Sequence, residues 1–264
     1  MNSGTTTSVK SVRELLQWAR RFKGSHHWFR GESSDCWPLL PKARRRKYSR
    51  HPESDRLAKF ELKAHGCADG GKLPSDNDVA GWLALAQHHG VPTRLLDWTE
   101  SLLVAAFFAT QDAPSRKRND GRIYILDPLA LNKVNIKDPH MHILQIDEPS
   151  WLRGITSPTE KKCYLIAMAR LGALLKPQEE VENLVVAVEP RASHPRIVQQ
   201  HGVFTVHGAC HGSLARGPHA KKFLKWAKIP AGRKNQFRRD LLLLGITRHK
   251  LFPDLHNLAL DISR

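Results

Sequence analysis

The 264-residue sequence carries 42 Lys and Arg residues against 25 Asp and Glu residues, a formal net charge of +17. Its 41% hydrophobic and 25% charged residues are typical of a soluble globular protein and exclude a disordered chain. The longest apolar run, Leu102 to Ala109, is shorter than the ~20 residues of a membrane-spanning helix, and the N-terminus lacks the apolar segment of a secretory signal. The four cysteines form no C-x-x-C pair, which favours reduced thiols. We therefore expect a cytoplasmic protein without a membrane partner.

Three elements are predicted near the N-terminus. Ser11 and Glu14 have the spacing of a helical capping box, and the apolar residues that follow predict a helix over residues 12–22. The segment HHWFRG, residues 26–31, is strand-like, and its final glycine is expected to end the strand. Apolar residues in helical register predict a second helix over residues 52–65.

The next two predicted helices flank a polar stretch. The third helix is expected to begin after a cap at Asp76 or Asn77 and to end at Gly90. An extended turn then leads to a fourth helix, which Thr99 is expected to cap. Its body, SLLVAAFFAT at residues 101–110, is apolar nearly all round, which predicts a helix at the centre of the domain.

The remainder of the chain alternates predicted strands and helices. Strands are predicted over residues 121–128, 184–190 and 202–208. Helices are predicted over residues 157–175, 219–228 and 237–244 and after Pro253. Since no repeat or linker divides the sequence, we expect one α+β domain with a central apolar helix and a small sheet. Its globular unit is residues 26–264, with the helix of residues 1–25 packed on it.

The polar stretch QHHGVPTRLLDWT, residues 87–99, has two interpretations that the sequence leaves open. Burying such groups without partners costs roughly 2–7 kcal/mol each, so they form either a satisfied network or the lining of a site. In the network, Asp97 pairs with Arg94 and caps the following helix. In the site, His88 and His89 supply acid–base groups and Arg94 clamps an anion. Adjacent histidines at a helix end do not readily chelate one ion, so no metal is expected here.

Arg30 is a second candidate for ligand binding. On a strand, Arg30 and Trp28 share one face while Phe29 points to the other. Gly31 permits a close backbone approach or an unusual φ. The guanidinium fork of Arg30 suits a phosphate or a carboxylate, whereas an ion-paired structural arginine is the alternative that the spacing leaves equally open.

The positive charge is concentrated in clusters, which favours nucleic acid as partner over a basic surface kept for solubility or for an acidic protein. No base-reading motif is present, so contact with RNA or DNA is expected to be through phosphates. The candidate nucleic-acid-binding residues are Arg44, Arg45, Arg46, Lys47, Arg116, Lys117 and Arg118. The spacing of His207, Cys210 and His211 resembles half of a zinc site without a second half, and no metal is predicted.

Four segments together resemble the FRG-domain family. They are Phe29-Arg30-Gly31, the stretch of residues 87–99 with His89 where Tyr is more usual, Pro195-Arg196-Ile197 followed by Gln200, Gly202 and Phe204, and Leu251-Phe252-Pro253-Asp254-Leu255. The stretch of residues 87–99 is the specific part of this resemblance, because the tripeptide alone is short. The family is thinly characterised, so the resemblance implies a fold more firmly than an activity.

The order of these residues is also similar to that of ADP-ribosyltransferases. That similarity implies NAD as substrate, held by Arg30 through a phosphate or ribose, with Thr93 and Thr99 bordering the nicotinamide. Gln87, His88 and Arg94 complete the implied cofactor-binding residues. Gln200 would occupy the glutamate position, but an amide cannot act as a carboxylate base. The catalytic candidates are therefore Arg30, Asp97 and Gln200. Either Asp97 or a histidine takes the role of the glutamate, or the chain is a weak or inactive relative.

Three functions are weighed. The first is an NAD-dependent ADP-ribosyltransferase-like effector acting on nucleic acid, as a toxin or phage-defence protein with an acidic antitoxin or inhibitor as regulator. The second is a non-catalytic basic module that binds nucleic acid or a protein partner. The third is a hydrolase or nuclease using His88, His89 and Asp97.

Overall fold

A computed structural model describes residues 7–22, 24, 26–48, 52–67, 73–75, 78–112, 119–136, 143–145, 185–190, 195–208, 212–217 and 219–263. Within them the helices are α1 Val12–Ala19, α2 Glu53–Ala64, α3 Val79–His88, α4 Leu102–Thr110, α5 Pro128–Ile136, α6 Pro195–Gln199, α7 Ala220–Phe223, α8 Lys234–Leu243, α9 Arg248–Leu251 and α10 Leu255–Ile262. The strands are β1 Trp28–Glu32, β2 Leu95–Thr99, β3 Gly121–Leu126, β4 Leu144–Gln145, β5 Val185–Glu189, β6 Gly202–His207 and β7 Leu224–Ile229. Short 3₁₀ turns occupy Lys42–Arg44, Arg46–Tyr48, Leu214–Arg216 and Ala231–Arg233.

The strands of these described residues form one seven-stranded sheet in the order β4-β5-β6-β2-β1-β3-β7. Neighbouring strands are antiparallel except β4 and β5, which run parallel. The expected mixed α+β fold is confirmed. The sheet is larger than the small sheet predicted, because β2 and β7 arise from segments that the sequence pattern assigns to a turn and to a helix, and β4 lies where no strand was predicted.

Alternate residues of the strands enter two apolar cores, one on each face of the sheet. On β3, Ile123 and Ile125 pack in the core that contains Leu15 of α1 together with residues of α4 and α8. Tyr124 and Leu126 pack in the second core on the other face. Burial on both faces explains why β3 is apolar at every position from Ile123 to Leu126.

The predicted central helix is α4, which lies directly across β1 and β3. A Cβ atom added at Gly31 of β1 would lie 1.8 Å from the carbonyl oxygen of Ala105, and one added at Gly121 of β3 would lie 2.3 Å from that of Ala109. The two glycines therefore allow the helix backbone to touch the sheet. The prediction that Gly31 ends the strand is wrong, since β1 continues to Glu32.

The polar stretch contains a strand that the sequence pattern did not indicate. Leu95–Thr99 forms β2 and pairs with β6 along its whole length, from Leu95↔Val206 to Thr99↔Gly202. Thr99 therefore does not cap α4; Ser101 does, accepting a hydrogen bond from the backbone N–H of Val104. Pairing with a strand about a hundred residues away overrides the local turn pattern, which no short window of sequence can show.

The helix predicted over residues 219–228 is also wrong in most of its length. Only Ala220–Phe223 is helical, and Leu224–Ile229 forms β7 at the edge of the sheet. β7 pairs with every residue of β3, which places Leu224 and Trp226 toward the second core and Ala227 and Ile229 toward the first.

The other predicted helices that lie within the described residues begin and end near their predicted limits, whereas α5, α6 and α9 were not predicted. Ser11 caps α1 by accepting from the N–H of Glu14, while α3 is capped by Asp78; Asp76 and Asn77 lie outside the described residues, as does the predicted helix over 157–175. Gly245, with a φ of 75°, ends α8. No helix in the described part of the chain is long and apolar enough to cross a membrane.

Candidate functional site

A cavity of about 370 Å³ opens where β1 and β2 diverge. In these two fully described strands the only paired residues are Phe29 and Thr99. Beyond that point a side chain replaces the backbone ladder, because Nη1 of Arg30 donates to the carbonyl oxygen of Asp97 at 2.6 Å. The cavity walls are completed by α3, by the 3₁₀ turn Lys42–Arg44 and the residue after it, and by α6 with the start of β6.

Arg30 combines the two roles that the sequence left open. Its Nε donates to Oε1 of the buried Glu32 at 3.2 Å, so the arginine is ion-paired within its own strand. Its side chain also lines the cavity and lies with Nη1 3.9 Å from Oδ2 of Asp97. The ion pair with Glu32 holds the guanidinium in place at the wall of the cavity.

Asp97 is held by Gln87. The side-chain amide of Gln87 donates to both carboxylate oxygens of Asp97 at 3.0 Å, and the hydroxyl of Thr93 donates to the amide oxygen of Gln87. The side chain of Asp97 stays 59% exposed, so the carboxylate is both oriented and accessible. Thr93 itself is completely buried and does not face the cavity, contrary to its predicted place beside a nicotinamide. Its hydroxyl contributes indirectly, by holding the Gln87 side chain that bonds to Asp97.

Arg94 does not pair with Asp97, which corrects that expectation. Its backbone N–H and its Nε donate to the two carboxylate oxygens of Glu53 at 2.6 and 2.5 Å, and both residues are buried. Successive residues of an extended segment point in opposite directions, so Arg94 and Asp97, three residues apart, face opposite ways. Arg94 therefore turns away from the cavity toward the first residue of α2. It is therefore a structural residue rather than part of an anion clamp.

Thr99 and Gln200 are joined by a hydrogen bond on the other side of the cavity. The hydroxyl of Thr99 donates to the backbone carbonyl of Gln200 at 2.6 Å, and Nε2 of Gln200 donates to the carbonyl of Leu251 at 2.9 Å. Both residues line the cavity. Gln200 thus lies in the same cleft as Arg30 and Asp97, with its amide nitrogen bonded to the segment that carries the LFPDL motif.

Three cations line this cavity that were not predicted to do so: Lys42, Arg45 and Arg196. Burial lowers the pKa of Arg45, and the nearby charge of Arg30 lowers it further. Burial likewise lowers the pKa of Arg196, whose guanidinium lies 4.6 Å from the ring centre of Phe252. Arg45 belongs to a run of four basic residues, and the sequence does not distinguish it from the other three. Its position after the turn Lys42–Arg44 directs its side chain into the cavity.

The other predicted residues are distributed as follows. His88 lines the cavity, whereas His89 is exposed and its ring lies 6.1 Å from that of Phe60. Of the nucleic-acid candidates, Arg46 and Lys47 are exposed and Arg44 is half-buried. Arg116, Lys117 and Arg118 lie outside the described residues, as do Cys210 and His211. Among the residues that are described, no group of three or more His, Cys, Asp or Glu side chains could hold a metal ion.

Glu32, behind Arg30, gives the site a predicted pH dependence. Burial raises the pKa of Glu32 above its ordinary value of 4.5, and Arg30 opposes this only in part. The folded protein thus holds this proton more tightly than the unfolded chain, so the carboxyl contributes stability that is complete below pH 4.5 and is lost as the pH rises through the folded-state pKa. We expect Glu32→Gln to lose less of its free energy of unfolding than wild type between about pH 4 and pH 7. Urea titrations across this range measure the difference, and parallel pH profiles for the two proteins would contradict it.

Comparison with known proteins returns one family. The family model described as FRG domain matches residues 25–118, a range that contains Arg30, Lys42, Arg45, Gln87 and Asp97. Arg196 and Gln200 lie beyond it. No curated protein and no solved structure matches the chain.

Proposed function

We propose, from the cavity that the FRG-domain match at residues 25–118 helps to build, that this chain is an ADP-ribosyltransferase-like effector. Its substrates are NAD and a nucleic acid, RNA or DNA, in the cytoplasm. We propose further that it acts as a toxin or phage-defence protein and that an acidic antitoxin or inhibitor protein regulates it.

One observation carries this proposal: Arg30, Asp97 and Gln200, which are far apart in sequence, line the same cavity at the divergence of β1 and β2. A cleft between diverging strands admits an elongated ligand along the strand edges. A volume of about 370 Å³ lies within the roughly 300–1,000 Å³ of small-molecule sites. The cationic lining suits the phosphates of NAD.

The proposed reaction needs only groups that are present in this cavity and in its two substrates. The bond between the nicotinamide nitrogen and the ribose C1′ breaks, and its electron pair leaves with the nicotinamide, which becomes neutral. A nucleophilic oxygen or nitrogen of the nucleic acid forms the new bond to C1′ and loses a proton. Asp97 is the accessible carboxylate that stabilises the developing oxocarbenium charge and accepts that proton, a function that the amide of Gln200 cannot perform.

The nucleic-acid part of the proposal rests on charge. The sequence carries +17, and the exposed Arg46 and Lys47 follow directly on Lys42 and Arg45 of the cavity wall. Phosphates of a polymer bound to the exposed pair would lie near the mouth of the cavity. Contact of this kind is sequence-independent and weakens as salt concentration rises.

The test is incubation of the full chain with NAD labelled in its adenosine part and with RNA or DNA. Nicotinamide release and transfer of label to the polymer are the two readouts. We expect Arg30→Ala and Asp97→Asn each to lower both rates about 100-fold or more, because each removes a charge that acts on the transition state. Arg239→Ala, at an exposed position of α8, is the matched control and should keep the wild-type rate.

The outcomes separate the three candidate functions. Absence of nicotinamide release and of label transfer with wild type, for both polymers, contradicts the enzyme. Salt-dependent polymer binding that persists in Arg30→Ala and Asp97→Asn would then favour the non-catalytic module. Cleavage of the polymer without NAD would favour the hydrolase, for which His88 lies in the cavity but His89 does not.

A further inference from the structure

We propose that Lys42, Arg45 and Arg196 form, with Arg30, a site for a phosphoanhydride group, the linked pair of phosphates of a nucleotide ligand. The inference rests on the proposed function in taking NAD as the natural ligand. It goes further in naming the residues that hold the diphosphate, and diphosphate binding can be measured without any transfer.

The turn Lys42–Arg44 places two of these cations. Lys42 begins the turn and Arg45 is the extended residue that follows it, and both side chains line the cavity. The turn is anchored to the polar stretch because the N–H of Ala43 donates to the carbonyl of Thr93 and Nζ of Lys42 donates to the carbonyl of Gly90, both at 3.0 Å. The positions of the two cations are therefore defined by the same segment that positions Asp97.

The guanidinium of Arg45 is only weakly engaged by its own chain. Its Nε and Nη2 both reach the carbonyl of Leu40 at 3.4 Å, near the limit for a hydrogen bond. The same side chain lines the cavity. An anion in the cavity would therefore offer this fork a closer and charged acceptor than it has in the folded chain.

The charges of the lining favour an anionic ligand. Among the described residues, four cations line the cavity: Arg30, Lys42, Arg45 and Arg196. Three carboxylates offset part of that charge: Asp97 in the lining, Glu32 beside Arg30, and Asp254, whose charge acts on Arg196. The lining still holds more cations than carboxylates, which favours a ligand that carries several negative charges, such as a phosphoanhydride, over one that carries a single charge.

Burying the guanidinium groups of Arg45 and Arg196 costs free energy of folding. Burial and the neighbouring Arg30 lower the pKa of Arg45, and burial lowers that of Arg196, yet a guanidinium stays charged in a protein. Glu32 and Asp97 offset the repulsion between Arg30 and Arg45 only in part, and a bound anion would offset it further. Removing Arg45 should leave the empty protein as stable as wild type or more so, and should weaken anion binding. These opposite effects distinguish a ligand site from a structural cluster, because loss of a structural arginine only destabilises.

The experiment measures thermal unfolding of the full chain with added pyrophosphate, inorganic phosphate or acetate at constant ionic strength. Wild type should gain stability with pyrophosphate most, with phosphate less and with acetate least. Arg45→Met and Lys42→Met should each raise the apparent Kd for pyrophosphate about tenfold or more, since each loses a charge-assisted contact. The exposed-site control Arg239→Met should respond as wild type does.

Two results would overturn the inference. One is a pyrophosphate response in Arg45→Met and Lys42→Met equal to that of Arg239→Met, and the other is an equal response of wild type to acetate and pyrophosphate. If a variant unfolds in buffer alone, Arg45→Lys, which keeps the charge without the fork, takes its place. Pyrophosphate binding without nicotinamide release would contradict the transferase alone. Release of nicotinamide that is unaffected by Arg45→Met would contradict this site alone.

Discussion

Glu53→Leu is expected to lower the free energy of unfolding by about 3–5 kcal/mol, because it leaves the guanidinium of Arg94 buried without its counter-charge. Both oxygens of Glu53 are used, one by the backbone N–H and one by Nε of Arg94, and the two side chains are only 4% and 9% exposed. Nη1 of Arg94 is buried and has no hydrogen-bond partner among the described residues. Water cannot easily replace the lost carboxylate at such a site.

The double variant Glu53→Leu with Arg94→Met separates the ion pair from the packing. Replacing both charges with apolar side chains of similar size should recover most of the loss, since a buried ion pair is often no more stabilising than an apolar pair. Asp55→Asn, an exposed change in the same first turn of α2, should cost less than about 0.5 kcal/mol and serves as control. Urea denaturation gives all of these values. A loss in Glu53→Leu no larger than in Asp55→Asn would contradict the pairing.

Gly31→Ala is expected to destabilise the protein by about 3 kcal/mol, because the added Cβ has no room beside the backbone of α4. That atom would lie 1.8 Å from the carbonyl oxygen of Ala105 and 2.6 Å from the backbone nitrogen of Ala109. Neither is the end of a flexible side chain, so the helix must move away from the sheet. Since Arg30 precedes this residue, the shift should also disturb the cavity.

The matched control is Gly232→Ala, where nothing lies within 4 Å of the added Cβ. We expect this variant to change the free energy of unfolding by less than about 0.5 kcal/mol in urea titrations. Gly121→Ala should resemble Gly31→Ala, because its Cβ meets the backbone of the same helix at Ala109. Gly31→Ala as stable as Gly232→Ala would show that the helix does not rest on β1.

Local sequence patterns correctly predicted the elements that have a capping box or a continuous apolar run. The capping box at Ser11 and the apolar run of residues 101–110 predicted α1 and α4, and the apolar segments around residues 123 and 186 predicted β3 and β5. The same patterns failed for β2 and β7. Both are short segments whose hydrogen bonds are made to distant strands, so their local residues carry a helix or turn signal that pairing overrides.

The residues of the candidate site were likewise predicted only in part from the sequence. The sequence by itself determined which side chains needed partners or a ligand: Arg30, Gln87, Asp97 and their neighbours are too polar to be buried unpaired. Only the tertiary structure decided which of them pair with each other. Arg94 pairs with Glu53, and Gln87 donates a hydrogen bond to Asp97. The structure also brought Arg45 and Arg196 into the cavity, because the position of a charge in space depends on how distant elements pack and not on its neighbours in sequence.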